Sequence, residues 1–416
     1  MNVILFILIF ISHILATIPF WEKLRWQVMP NVSDFASLSF ILYYDIGIIL
    51  ELIGISNTNI YFDSLIWSND NIFAISSVIL MITPWLFHLG SNLIDWNKPF
   101  DQEKYFSHLK RLPIFYIIVF LISIFLAILG YLQIKDNPIW VARSIVGEQW
   151  GPLIFILYLP MHFLAFYIRQ TNSRTKSGLF FSIFLIFTSI MSTLQIGQRT
   201  NILLPFVIFL LFRNKITIKK LAVIIICGVI SASIFLSIFK PQYKENVLSL
   251  NQLIVQTIFS DFSRSGILKN TIERTDLFGS NIIPYPMAGY LYSVFFFIPR
   301  SFIPLKGEST ARYFTSNVLG VDAVSINWGF GVGVIEEILI NGGFLLFIPI
   351  TFCYGIAMGF VNRISKRVPS LVVPTRLAAI WLCGYNLPSL LLTFGVMAFI
   401  CWLLNTVFSE KNQRKC

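Results

Sequence analysis

Apolar residues in this chain run in long blocks instead of alternating, and the blocks are broken by short polar joints. A membrane-crossing helix needs about 20 mostly apolar residues. By that measure spans are predicted near 2–20, 33–54, 71–92, 113–133, 151–169, 177–195, 199–212, 220–239, 342–361, 374–387 and 390–407. The seventh is short, and only the Asn386-Leu387-Pro388 break separates the last two, so the expected count is about 11, within 10–12. No strand pattern and no internal repeat stands out, and the expected fold is an all-α polytopic membrane protein.

The one long interruption lies between the eighth and ninth spans. It divides the chain into residues 1–239 with eight spans, a large outer segment at 240–341, and residues 342–416 with the remaining spans and a tail. The part from Ile282 to Gly343 mixes aromatics and glycines with Arg300, Lys306 and Arg312, and carries the pair Glu336-Glu337 near its end. The run Tyr290 to Ile298 is too apolar for a solvated loop, and is expected to dip into the lipid or pack against the spans. Residues 137–151, with Trp140, Val141, Ile145 and Trp150 around Arg143, read as an amphipathic helix or strut at the membrane surface.

Composition agrees with this picture. Of 416 residues, 56% are hydrophobic and 12% charged, against about a quarter charged in soluble domains. The net charge of +11 comes from lysines and arginines scattered between the spans, which fits anchoring at an anionic lipid surface and argues against nucleic acid. Of the 31 basic residues, 20 fall in joints on one side if the N-terminus is outside. Cytoplasmic loops carry that excess, so the C-terminus is expected in the cytoplasm and the long segment outside. Four of the five cysteines lie within apolar runs and the fifth is Cys416, which excludes a disulfide framework or a zinc cluster. Residues 1–20 lack a basic leading region and a small-residue cleavage site, and are expected to remain as the first span.

Chemistry is sought where polar groups meet the spans. In Gln195-Ile-Gly-Gln-Arg199-Thr-Asn, Gly197 can end one helix while Arg199 opens the next, where free amides favour an anion. A guanidinium there can grip phosphate with two parallel hydrogen bonds, although a snorkelling arginine explains the position equally well. Arg300, set between Pro299 and Pro304, faces the headgroup level, and Arg264, Arg274, Lys306 and Arg312 could join it or simply be solvated. In the glycine-rich run from Trp328 to Gly343, positions 333, 337 and 341 share one helix face. Carboxylates so near a membrane are costly and usually functional, and Glu337 is suited to taking a proton from a sugar hydroxyl. A capping or arginine-paired glutamate is the plainer alternative. No histidine falls outside, since His13 and His162 lie in spans and His88 and His108 on the cytoplasmic side. The outer acids Asp261, Glu273, Asp276, Glu308 and Asp322 lack ligand spacing, so no metal or other cofactor is expected.

The set Gly197-Gln-Arg199-Thr, Phe297-Ile-Pro-Arg300-Ser-Phe-Ile-Pro304-Leu-Lys306 and Gly331-x-Gly-x-x-x-Glu337-x-x-x-Asn341-x-Gly343 resembles the O-antigen polymerase, or oligosaccharide repeat-unit polymerase, family of bacterial surface polysaccharide synthesis. The likeness covers the region from about the sixth span to the ninth. It implies a metal-independent, inverting glycosyltransferase of the membrane-embedded C type in the bacterial inner membrane. Such an enzyme builds O-antigen or capsule-type polysaccharide from units carried on undecaprenyl diphosphate, alongside a flippase and a chain-length regulator. The resemblance assigns diphosphate binding to Arg199, Arg264 and Arg300, and position adds Lys306 and Arg312 as candidates beside them. It assigns activation of the acceptor to Glu337, with Glu336 the competing candidate and Asn341 and Tyr313 in support. The related O-antigen ligases use an outer-loop histidine, which is missing here. Two further alternatives stay open: a transporter or flippase for lipid-linked glycans, and a metal-dependent transferase using Asp63 or Asp70 as its acid.

Overall fold

The computed structural model describes residues 2–26, 28–53, 68–94, 263–296, 302–323, 331–368 and 371–395, together with isolated positions at 65, 121, 125, 128, 298, 398, 399 and 402. The chain divides into one unit of residues 1–99, 258–367 and 375–395, and a second of residues 100–257, 368–374 and 396–416. Nearly all described residues belong to the first. The first unit joins residues of the first expected spans with those of the outer segment from residue 258 onward. In the second unit Leu121, Phe125 and Ile128 are helical and exposed. The remaining residues of the fourth to eighth expected spans lie outside the described residues.

The described secondary structure is helical, apart from a single β-bridge between Thr275 and Ser280. The helices are α1 (Asn2–Arg25), α2 (Val32–Phe40), a π-turn (Ile41–Asp45), α3 (Ile46–Leu52), α4 (Asp70–Ile94), α5 (Ser265–Glu273), α6 (Ala288–Phe295), a 3-10 turn (Pro304–Lys306), α7 (Thr310–Leu319), α8 (Val334–Arg367), α9 (Val372–Ile380) and α10 (Leu387–Leu390), which passes into a second π-turn (Leu391–Gly395). Among the described residues four stretches are long and apolar enough to cross a membrane: α1, the continuous α2–α3, α4 and α8. The protein is thus a mostly helical membrane protein. The expected span 374–387 is instead the nine-residue α9 followed by a turn at 381–384. Asn386 then caps α10, its side chain accepting from the Ser389 amide at 3.3 Å.

Hydrophobicity cannot select the packed face of a helix that is apolar all round, so small and polar side chains mark it. In α1 the buried positions include His13, Ala16 and Thr17, while Ile4, Leu8, Ile11 and Leu15 stay exposed as a lipid-facing flank. Ser12 Oγ donates to the Met81 carbonyl at 3.1 Å, and His88 Nε2 pairs with the Ala16 carbonyl at 2.9 Å, so α1 and α4 run in the same direction. Lys23 pairs with Asp34 at 2.6 Å and His13 with Asp45 at 2.8 Å, so α2–α3 runs opposite to both.

Helix α8 lies along α4 by backbone contact. A Cβ added at Gly355 would come within 2.7 Å of the Leu86 carbonyl oxygen, and one at Gly359 within 2.6 Å of that of Ser91. Two glycines four residues apart let helices approach this closely, and the pairing makes α8 parallel to α4. The directions also collect Lys23, Arg25, Arg363, Lys366 and Arg367 at one end of the unit. Arg376 is buried there, donating to Ser365 Oγ at 2.5 Å and Asn362 Oδ1 at 2.7 Å.

At the other end α8 is broken. Gly343 has φ 63° and ψ −171°, a conformation that only glycine adopts readily, and a side chain there would strike the Asp276 and Leu277 carbonyls. Those carbonyls accept from Phe344 N at 3.1 Å and Leu345 N at 2.9 Å, capping the helix that restarts. From Phe344 to Arg367 that helix is about 36 Å long at about 1.5 Å per residue, sufficient for a hydrocarbon core of about 30 Å. The preceding half-helix, Val334 to Gly342, is not needed to cross, and every residue of it is buried.

Candidate functional site

The half-helix begins where glycines meet other backbone. A Cβ on Gly333 would collide with the Cys383 carbonyl, so the α8 start can sit against the 381–384 turn only with glycine in that place. In the first helical turn, where amides lack partners, Glu336 turns back and its Oε2 accepts from Gly333 N at 3.0 Å. Its Oε1 accepts from the Tyr44 hydroxyl at 2.8 Å. Glu337 accepts from Leu387 N at 2.7 Å and from Thr310 Oγ1 at 3.3 Å. Both glutamates are fully buried, and neither forms an ion pair with a described residue. They are held by neutral donors.

Asn341 lies one turn beyond Glu337 and completes the link to the outer segment. Its Oδ1 accepts from the amides of Gly289 at 2.8 Å and Tyr290 at 3.2 Å, capping α6, and its Nδ2 donates to the Glu337 carbonyl at 2.8 Å and to Thr310 Oγ1 at 3.3 Å. Thr310 Oγ1 therefore accepts a hydrogen bond from Asn341 and donates its own to Glu337. Gly289 has no room for a side chain against that hydroxyl. Burial, with Tyr354 and Glu337 nearby, holds the Tyr290 phenol well above the usual tyrosine range. The hydroxyls of Tyr290 and Tyr354 approach each other without reaching hydrogen-bond geometry.

Arg264 ties three segments together. Its amide donates to the Tyr43 carbonyl at 2.8 Å, its terminal nitrogens donate to the carbonyls of Gly331 at 2.6 Å and Gly384 at 3.0 Å, and its guanidinium lies 5.9 Å from the centre of the Tyr43 ring. Its Nε is buried, with no partner among the described residues. Tyr43 and Tyr44 both belong to the π-turn, whose extra residue shifts the helical register. Three successive residues consequently meet three elements: Tyr43 meets Arg264, Tyr44 meets Glu336, and Asp45 meets His13.

The structure thus gathers Arg264, Glu336, Glu337 and Asn341 into one cluster. Lys306 ends the adjoining hook, residues 302–306, and is buried, with its ammonium donating to the carbonyls of Phe296 at 2.9 Å and Ile298 at 2.7 Å and lying 5.0 Å from the Tyr292 ring centre. Arg312 pairs with Glu308 at 3.0 Å, and the Tyr313 hydroxyl accepts from Glu308 N at 3.1 Å. In this arrangement Lys306 and Arg312 brace the hook. Arg199 and Arg300 lie outside the described residues.

Sequence reasoning passed over Tyr44, Thr310 and the His13–Asp45 pair. The available signal was Asp45, a carboxylate inside the apolar run 33–54, where an ionisable group calls for a partner. Among the described residues no three His, Cys, Asp or Glu side chains gather as a metal site would need. No protein-family model, curated protein or solved structure matches the chain.

Proposed function

We propose that this protein is a membrane-embedded glycosyltransferase that polymerises oligosaccharide repeat units carried on undecaprenyl diphosphate, working at the outer face of a bacterial inner membrane. The observation that carries this reading is Glu337, buried on a half-helix at the membrane end of the unit opposite the basic cluster, and bonded to a hydroxyl that another hydroxyl can replace. The end bearing Lys23, Arg25, Arg363, Lys366 and Arg367 is then cytoplasmic, because short basic segments stay on that side.

In the proposed reaction an acceptor sugar hydroxyl takes the place of Thr310 Oγ1, the longer of the two contacts to Glu337. Glu337 accepts the hydroxyl proton as the sugar oxygen attacks the anomeric carbon of the growing glycan. The bond from that carbon to the lipid diphosphate breaks with inversion, and the diphosphate departs with the electron pair. Arginines stabilise the departing charge: Arg264 through its Nε–H, which no described residue takes up, with Arg199 and Arg300 as the further candidates. The energy resides in the diphosphate bond, and holding donor and acceptor together lowers the barrier further.

The test is purified protein in lipid vesicles supplied with undecaprenyl-diphosphate-linked repeat units from the source strain. A ladder of longer glycans is expected, and unchanged unit length with active protein overturns the proposal. A second reading, a transporter of lipid-linked glycans, is favoured by one observation: the ionisable pair His13–Asp45 buried among the spans, a place where transporters keep coupling groups. On that reading the units change sides of the vesicle and keep their length.

A further inference from the structure

The outer segment carries a surface that is inside out for a water-facing loop. Phe302 is 77% exposed and Leu305 75%, while Lys306, at the tip of the same hook, is turned inward onto two backbone carbonyls. Leu277 and Phe278 are 59% and 68% exposed. In water the lysine would be outside and the leucine and phenylalanine beneath it. An exposed apolar patch marks a binding surface, and the backbone identifies what covers this one.

The Leu277 carbonyl accepts from the Leu345 amide, so the tip carrying Leu277 and Phe278 lies one hydrogen bond from the first turn of the restarted α8. Leu345 is 52% exposed and Ile348 55%, on the apolar flank of the helix long enough to cross the membrane. The hook joins the same layer, because the Tyr285 hydroxyl donates to the Leu305 carbonyl and the Met287 amide donates to the Asn341 carbonyl two residues before the Gly343 break. The patch is therefore continuous with the lipid-facing side of α8. Asp276, exposed beside Leu277, fixes its depth at the headgroup boundary and not at the middle of the bilayer.

We infer that Leu277, Phe278, Phe302 and Leu305 are immersed in the acyl chains of the leaflet at which α8 begins, so that lipid holds the outer segment against the break at Gly343. The occupant is lipid whichever activity the protein has. Its consequence for the site is positional: the half-helix bearing Glu336 and Glu337 leaves the bilayer at a fixed boundary, and a lipid-borne substrate meets it without leaving the membrane.

The experiment uses the full-length protein in phosphatidylcholine vesicles doped with a phosphatidylcholine that carries a diazirine on its acyl chain. After irradiation and proteolysis, carbene adducts are located by mass spectrometry, and a parallel sample is footprinted with hydroxyl radicals from the water side. The four side chains should be labelled by lipid about as heavily as Ile348, and roughly tenfold more than residues 307–312, as for groups at the acyl boundary. Strong hydroxyl-radical oxidation with little lipid label would place the surface in water and overturn the inference. Protection from both reagents, with cross-links between copies, would assign it to a second copy and overturn it equally.

Discussion

Two buried pairs of ionisable groups in one unit are stabilised by opposite means. His13 and Asp45 answer each other: Nδ1 lies 2.8 and 2.9 Å from the two carboxylate oxygens, and Nε2 donates to the Leu80 carbonyl at 3.0 Å. Whichever partner holds the shared proton, every polar atom of the imidazole is used. Among the described residues Glu336 and Glu337 have no such counter-group in contact, and are held by a phenol, a threonine hydroxyl and two backbone amides. A closed pair is finished chemistry, whereas a carboxylate resting on an exchangeable hydroxyl can change partners. The difference marks the first as framework and the second as the candidate site.

The largest effect should come from breaking the closed pair. Asp45→Ala leaves a buried imidazole facing a cavity, and removing one member of such a pair costs about 3–5 kcal/mol. The thermal denaturation midpoint in detergent should fall sharply. His13→Leu combined with Asp45→Leu should recover most of the loss, because apolar replacement of a whole buried pair is often neutral. No recovery in the double variant would show that the pair does more than hold α1 to the π-turn.

Arg264→Ala comes next. It releases the carbonyls of Gly331 and Gly384 and removes the cation whose charge is felt at Glu336. Leaving buried acceptors unmatched costs about 1–3 kcal/mol, read from the same midpoint. Arg264→Lys should recover only part of this, because an ammonium cannot reach two separated carbonyls with a planar fork.

How far these features can be read in the sequence differs between the two pairs for a physical reason. The four long helices were legible because crossing a bilayer demands an uninterrupted apolar run, and the runs at 2–20, 33–54, 71–92 and 342–361 each contain the core of one. The packed faces were not legible, since Leu8 toward lipid and Ile9 toward protein are chemically alike. Glu337 and Asn341 stood out from spacing alone, as two polar groups one turn apart on an apolar helix, and the structure brings both to Thr310. Tyr44 was hidden because a π-turn alters the register by one residue, and no residue type announces one. The break at Gly343 is written as a glycine pair, but its purpose depends on carbonyls of residues 276 and 277, distant in the sequence.

Tyr44→Phe sharpens the comparison by a smaller step. It removes only the hydroxyl that Glu336 Oε1 accepts from, leaving a carboxylate oxygen without its donor in an apolar setting. The expected loss is about 1–2 kcal/mol, visible as a modest fall of the midpoint. If Glu336 is only a cap for the α8 start, polymer length stays normal in this variant. A large activity loss at nearly unchanged stability would move the catalytic role from Glu337 to Glu336.

The smallest change in stability and the most informative outcome belong to Glu337→Gln. The carboxamide has nearly the same shape, its oxygen can still accept from Leu387 N, and its NH2 can donate to the Thr310 hydroxyl, so the midpoint should move by less than about 1 kcal/mol in equivalent terms. A carboxamide cannot take up a proton, however, and chain extension on lipid-linked units should stop while the protein accumulates normally. Thr310→Val separates the two roles of that contact: it removes the resting donor but leaves the base, so extension should persist. Extension that survives Glu337→Gln would make the second pair framework like the first, and the carboxylates would then have to be read as what locks the broken helix onto α7 and the 381–386 turn.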